Sequence, residues 1–369
     1  MKNSLTFLLS ILLLSGTIWP GIVHAQSQNN PAEANKKQYK QLSKAVNEYK
    51  KIKNRHDWAP ISLSDKQVLK LNDTSEVIRK IYDRLKFLED LQSFRSTDIF
   101  TTKLEDAVKR FQLRHGLEDD GIIGPAFIRA LNMPLEKRIE QLEVNMDRLQ
   151  MDTLPLRGRR IIANIPEYRL YVYENNKEVL TMDIVVGKST DPTIVFADTM
   201  EHIVFSPYWN VPASIVKKEI LPQMNKNAGY LKKNNMEITG KADGLPVIRQ
   251  KPGPENSLGK VKFLFPNQHS IYFHDTPSKS LFERNSRAFS HGCIRLSKPM
   301  ELARYLLKDQ PEWSDEMILE AMNSGIEKWV NLTEAVPVSI IYYTAWVDQS
   351  GMVNFRDDIY GHDQEQQIQ

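Results

Sequence analysis

Two short stretches decide how this chain is read: Ser270-Ile271-Tyr272-Phe273-His274 and, beyond a loop, Ser290-His291-Gly292-Cys293-Ile294-Arg295. The first alternates with period two and runs into Asp275-Thr276-Pro277, so it predicts a strand with His274 at its end. The second holds the only cysteine among 369 residues. A thiol attacks as its thiolate, so it needs a base or cation beside it and backbone N–H groups to hold the oxyanion that forms. Gly292 lets the backbone approach a reacting carbonyl closely. His274, 19 positions before Cys293, is a candidate base, because a strand, a loop and a return strand bring such positions together. Two other readings stay open on spacing alone. A lone Cys is often a small buried hydrophobe. His274, His291 and Cys293 could also form a three-ligand zinc site, although no Glu or Asp around them completes a known zinc motif. The remaining histidines, His56, His115, His202, His269 and His362, stand alone in the sequence.

Working outward, residues 159–347 carry mostly period-two runs: Ile161 to Ile165, Arg169 to Tyr173, Val179 to Val186, His202 to Phe205, Val261 to Phe265 and Val338 to Val347. Asp348-Gln349-Ser350-Gly351 predicts a hairpin turn before Met352 to Phe355, followed by a polar tail to 369. The segment 213–260 interrupts the β pattern with nine basic and four acidic residues. It reads either as a solvated, partly helical insertion or as a positive lid over a site for an anionic substrate. Pro252-Gly253-Pro254 and Gly259 are its candidate hinges. Upstream, Val77, Ile78, Ile81, Tyr82, Leu85 and Leu88 recur at helical spacing. Thr102 with Glu105 predicts a capping box, Gly116 a left-handed stop, and Pro125 a helix start. Residues 70–132 therefore predict a small helical module, and 133–158 a connecting helix. Residues 26–69 read as a polar linker or partial scaffold, with a loosely attached helix as the other reading of 26–54.

Composition bounds the rest. Lys+Arg number 49 against 46 Asp+Glu, and 41% of residues are apolar. That is ordinary for a globular protein and gives no bulk charge for nucleic acid or a membrane surface. One Cys excludes an intrachain disulfide and any metal site needing two thiolates. Lys2, the apolar run from Leu5 to Trp19, and Val23-His24-Ala25 predict an export signal over 1–25, cleaved before Gln26, with an uncleaved membrane anchor as the other reading. No later segment predicts a membrane span.

The His and Ser-His-Gly-Cys pair, nearly twenty residues apart, resembles the signature of the L,D-transpeptidase catalytic domain. So do Ser206-Pro207-Tyr208-Trp209-Asn210-Val211-Pro212, Pro252 to Gly259, Phe265-Pro266-Asn267, Tyr272 to Pro277, and Tyr342-Tyr343-Thr344-Ala345-Trp346, all similar to the large Gram-negative-type branch. Ala107-Val108-Lys109-Arg110-Phe111-Gln112 and Asp120-Gly121-Ile122-Ile123-Gly124 resemble a peptidoglycan-binding helical domain. The resemblance implies an α+β chain: a mostly β catalytic domain with a lid insertion, behind a small all-α domain. It implies an exported, periplasmic, cell-wall-associated enzyme that needs no cofactor and serves cell wall biogenesis and cell shape. Cys293 would attack the third residue of a tetrapeptide stem, and a second stem's amine would resolve the thioester into a 3–3 cross-link. The partners would be donor and acceptor stems and, beyond them, cell-wall synthesis proteins. His274 would move the proton near its natural pKa, held by the backbone carbonyl of Asp275. The Gly292 and Cys293 N–H groups would hold the oxyanion. Tyr272 and Arg295, each two residues from a reacting group, would face the site, with Arg295 holding a stem carboxylate. His291 would shape the loop. The same chemistry with water gives an L,D-carboxypeptidase or hydrolase, and a chain without turnover would be a non-catalytic cell-wall-binding protein.

Overall fold

The computed structural model describes residues 32–63, 68–92, 95–151 and 158–365. The expected export signal lies outside them. Five helices come first: α1 (Ala32–Arg55), α2 (Glu76–Phe87), α3 (Thr102–Arg114), α4 (Pro125–Leu131) and α5 (Leu135–Met151). Ser75 Oγ caps α2 by accepting the Val77 N–H, which satisfies a donor that the first turn leaves unpaired. The cap of α3 is Thr101, one residue before the expected Thr102: Thr101 is extended and its Oγ1 accepts from Leu104 N, whereas Thr102 is already helical. Gly116 follows α3 at φ +66°, and Pro125 opens α4. α2, α3 and α4 close over Ile78, Ile81, Leu85, Leu104, Val108, Phe111 and Phe127.

The region expected as a polar linker, a partial scaffold or a loosely attached helix contains α1, 24 residues long and packed firmly on α5. Leu42, Ala45, Val46 and Tyr49 lie against Leu135, Ile139, Leu142 and Leu149. These apolar positions recur at helical spacing between lysines, so composition concealed a face that periodicity carries.

The β region holds β1 (Arg159–Asn164), β2 (Arg169–Glu174), β3 (Lys177–Gly187), β4 (Phe196–Phe205), β5 (Trp209–Asn210), β6 (Met236–Ala242), β7 (Leu245–Gln250), β8 (Val261–Leu264), β9 (Phe273–His274), β10 (Ala288–Ser290), β11 (Ile294–Leu296), β12 (Lys328–Ile341), β13 (Ala345–Val347) and β14 (Val353–Phe355). The main sheet runs β10-β3-β11-β9-β8-β4-β12-β1-β2, and β2 also pairs with β3. The long β3 pairs with β2 through its first half and with β11 through Ile184 and Val185, so the strand order closes on itself. One face is a continuous apolar core of Ile161, Leu170, Ile184, Ile203, Phe263, Phe273, Ile294 and Leu296. Leu302 and Leu306 of one following helix, Pro299–Leu307, and Ile318 of another, Asp315–Asn323, join that core.

The insertion is a folded unit. Trp209–Asn210, Leu245–Gln250 and Met236–Ala242 form a three-stranded sheet in the order β5-β7-β6, beside short helices at Ala213–Ile215, Leu221–Lys226 and Tyr230–Lys233. Val211, Ile215, Val216, Ile220 and Ile248 form its own small core. The sequence reading placed no strands here. The overlooked signal was Asp243-Gly244, whose φ values of +51° and +79° make the tight turn between β6 and β7. The β13–β14 hairpin formed as expected from its turn, but Ala345, Val347 and Phe355 pack on α1 and α5, returning the chain's end to its first helices.

Candidate active site

Strand register assembles the site. β9 and β11 are parallel neighbours, with Arg295 opposite His274 and Ile294 opposite Phe273. Alternate side chains on a strand point to opposite faces. Phe273, Ile294 and Leu296 enter the core, so Tyr272, His274, Cys293 and Arg295 share the other face. Lys262 of β8 pairs with His274 from the far side. Its ammonium turns away to the Tyr208 carbonyl at 3.5 Å and to Glu327 at 3.9 Å.

His274 is buried, and its Nδ1–H donates to the Asp275 carbonyl at 2.5 Å. A carbonyl can only accept, so the ring's Nε2 is left unprotonated and free to take a proton. Burial, aided by the nearby Arg295 guanidinium, pulls this imidazole down to about 3. That departs from the expectation of a histidine near its natural pKa: a ring covered on all sides cannot hold a charge cheaply. Asp275 is itself immobilised. Its N–H donates to Val261 O at 2.9 Å, and its carboxylate accepts from the Lys260 N–H at 2.9 Å and from Lys279 Nζ at 2.5 Å. Gly259 is pressed against that carboxylate. A Cβ there, at φ +61°, would lie 2.4 Å from the Asp275 carboxyl carbon, so this glycine serves close approach and not the hinge expected of it.

Cys293 is half-buried, and its thiol donates to the carbonyl of Ser270 at 3.6 Å. Ser270 sits at φ +55°, a conformation rare for a residue with a Cβ, and this kink shortens the expected strand to its last two residues. Burial pushes the thiol up, while the Tyr272 backbone N–H and hydroxyl, together with Arg295, favour its thiolate. Among the described residues, the buried Nε of Arg295 has no acceptor.

The loop before Cys293 is held by hydroxyl groups. Ser290 Oγ donates to Cys293 O at 2.5 Å and accepts the Gly292 N–H at 3.2 Å. The Gly292 N–H is therefore engaged, whereas the Cys293 N–H has no acceptor among the described residues. Thr193, 1% exposed, donates from Oγ1 to the Gly292 carbonyl at 2.8 Å and accepts from Gly187 N at 2.9 Å. The Tyr360 hydroxyl in turn donates to Gly187 O and accepts from Thr193 N. Sequence reasoning missed Thr193, because nothing local ties it to a residue 99 positions away. His291 turns outward, and its Nε2–H donates to Glu219 of the insertion at 2.6 Å. Glu219 lies on a π-helical turn, Val216–Ile220. Among the described residues no three His, Cys, Asp or Glu side chains are grouped to hold a metal ion, and none of the described helices is long and apolar enough to cross a membrane.

Residues 158–319 match the family described as "L,D-transpeptidase catalytic domain", and residues 74–131 match the "Putative peptidoglycan binding domain". A relative from Haemophilus influenzae named "Putative L,D-transpeptidase" is 30% identical over 242 residues, 61% of this chain; the match spans 48% of that relative's length. Among solved structures, an L,D-transpeptidase from Mycobacterium smegmatis is 14% identical, with 50% of this chain and 58% of that one covered and a TM-score of 0.28. One from Stackebrandtia nassauensis is 13% identical, with 74% and 97% covered and a TM-score of 0.30. By these family matches, residues 158–319 of the β region are of the L,D-transpeptidase catalytic-domain type, and residues 74–131 before them are of the peptidoglycan-binding type.

Proposed function

We propose that this protein is an exported, periplasmic, cell-wall-associated L,D-transpeptidase that forms 3–3 cross-links in peptidoglycan, with Cys293 as nucleophile and His274 as general base. The observation that carries the reading is the convergence of Cys293, His274, Tyr272 and Arg295 on one face of β9 and β11, opposite the apolar core. Burial lowers the imidazole and raises the thiol, so both rest neutral. The proton therefore leaves the thiol as the sulfur attacks, not beforehand.

The thiol first turns from the Ser270 carbonyl toward His274 Nε2. Sγ then bonds to the carbonyl carbon of the stem's third residue, and its proton passes to Nε2. The Cys293 N–H receives the oxyanion, and the Thr193 bond to the Gly292 carbonyl fixes the peptide plane on which that N–H lies. Collapse breaks the C–N bond, and the departing terminal D-Ala amine takes the proton from His274. A second stem's amine attacks the thioester and gives a proton to Nε2. The C–S bond breaks, and the thiolate recovers that proton. Asp275 orients the imidazole, Tyr272 stabilises the sulfur's developing charge, and Arg295 takes a stem carboxylate. His291 positions the loop through Glu219. The insertion covers the thioester and keeps water from competing with the acceptor amine.

Mass spectrometry of products from purified tetrapeptide muropeptides tests this reading. Dimers joined 3–3 are expected. Tripeptides without dimers would assign the site to the hydrolase reaction, and binding without turnover would make the chain a cell-wall-binding protein. Intact mass should also show one carbapenem adduct per chain, lost in Cys293→Ala.

A further inference from the structure

A cavity whose lining includes none of Tyr272, His274, Cys293 and Arg295 lies between the helical domain and the β region. It encloses about 900 Å³. One wall is the end of α3 and the start of α4, where Leu113 and Ile122 are exposed. The other is formed by the β1–β2 connection, the start of β2, the segment before β10, and the β13–β14 hairpin, which contribute Glu167, Tyr171, Arg287 and Trp346. The joint between the walls is braced. Arg356 lies 4.9 Å over the Trp346 ring and donates to the carbonyls of Arg114 and Phe355. Its aliphatic stem crosses Gly116 so closely that a Cβ there would meet Arg356 Cδ at 2.6 Å.

The lining chemistry selects a ligand class. Among the described lining residues, six carboxylates face three guanidiniums. That balance is wrong for a stem peptide rich in carboxylates, which Arg295 and the basic insertion suit better. It suits an uncharged polymer with many hydroxyls. Half-buried Tyr171 and Trp346 line it with aromatic surface that suits sugar C–H groups, while Leu113 and Ile122 supply apolar surface that suits N-acetyl methyls. Glu167 accepts from Tyr171 Oη at 2.6 Å and from Asn164 Nδ2 at 3.1 Å, so its carboxylate is held in place with lone pairs to spare for hydroxyl donors. Among the described residues, Arg287 Nε is buried without an acceptor.

We propose that this interdomain cavity is a groove for the glycan strand of peptidoglycan, a polymer of N-acetylated hexosamines, held there while its stem reaches Cys293. The inference rests on the catalytic reading above for its choice of polymer, but the two are tested by different readouts. Stem-free glycan chains, prepared by amidase treatment of sacculi, should bind the full chain. Trp346→Ala and Leu113→Glu should each weaken that binding at least tenfold, with carbapenem acylation of Cys293 unchanged. Leu113 is 62% exposed, so its variant remains informative if Trp346→Ala misfolds. Glycan binding of wild-type strength in a folded Leu113→Glu protein, or no binding of stem-free glycan by the wild type, overturns the groove. Failure of Cys293 to acylate in the wild type would count against the catalytic reading alone.

Discussion

Replacing Thr193 with Val keeps the side chain's shape and removes one oxygen. In the structure that oxygen accepts from Gly187 N and donates to the Gly292 carbonyl in a place that water does not reach. Leaving a buried donor or acceptor unpaired costs about 1–3 kcal/mol, so Thr193→Val, which strands two such groups, should lose about 2–6 kcal/mol of stability. The catalytic loss has a different origin. Freed from Thr193, the Gly292–Cys293 peptide can rotate, and the Cys293 N–H no longer points at a fixed spot. Removing an oxyanion donor outright costs about 10²–10³ in rate. A donor that is misaimed but present should cost less, about 10–100-fold, or roughly 1.4–2.7 kcal/mol of barrier. The assay is the acylation rate of Cys293 by a carbapenem, followed by intact mass over time, with Tm measured on the same samples. Thr193→Ser restores the hydroxyl and should recover most of the rate. A Thr193→Val protein that melts earlier but acylates within about twofold of wild type would refute the reasoning, leaving Thr193 a purely structural bond.

Four further outcomes are expected. His274 is held at about 3, so acylation should keep its rate from pH 8 down to about pH 5; an acid limb centred near 6.5 would show a solvated imidazole in the working enzyme. Because its folded pKa lies below the ordinary 6.5, His274 gives stability that is fully present above that value and lost as pH falls toward 3, by about 1.4 kcal/mol per unit; a pH series of chemical denaturation measures it. Arg114→Met strands the buried Asp90 carboxylate and removes a 3.0 Å bond to the Val353 carbonyl, and should cost about 3–5 kcal/mol by the same assay. Replacing the insertion by a short linker should shift products from 3–3 dimers to tripeptides, and an unchanged ratio in a folded protein would remove its role in excluding water.

The sequence by itself named the candidate site residues and showed where helical elements give way to strands. A lone Cys behind Ser-His-Gly, a His at a strand end, and the change from helical to alternating period are local patterns, set by residue type and short spacing. Periodicity could also have found α1, and Asp243-Gly244 could have found the β6–β7 hairpin. Other features exist only in three dimensions. The charge state of His274 depends on how completely other elements cover it, and covering groups leave no mark at position 274. The engagement of the Gly292 N–H by Ser290, and of its carbonyl by Thr193, required the loop to fold back on itself and on a segment far upstream. Gly259 looked like a hinge because glycine is permissive, but its neighbour Asp275, just after β9, turns that permissiveness into close packing. The cavity braced by Arg356 and Gly116 joins segments from both ends of the chain. Residue type and local period fix what a side chain can do. Burial and long-range pairing fix which of those capacities is used, because desolvation and hydrogen-bond geometry depend on neighbours that only the closed fold supplies.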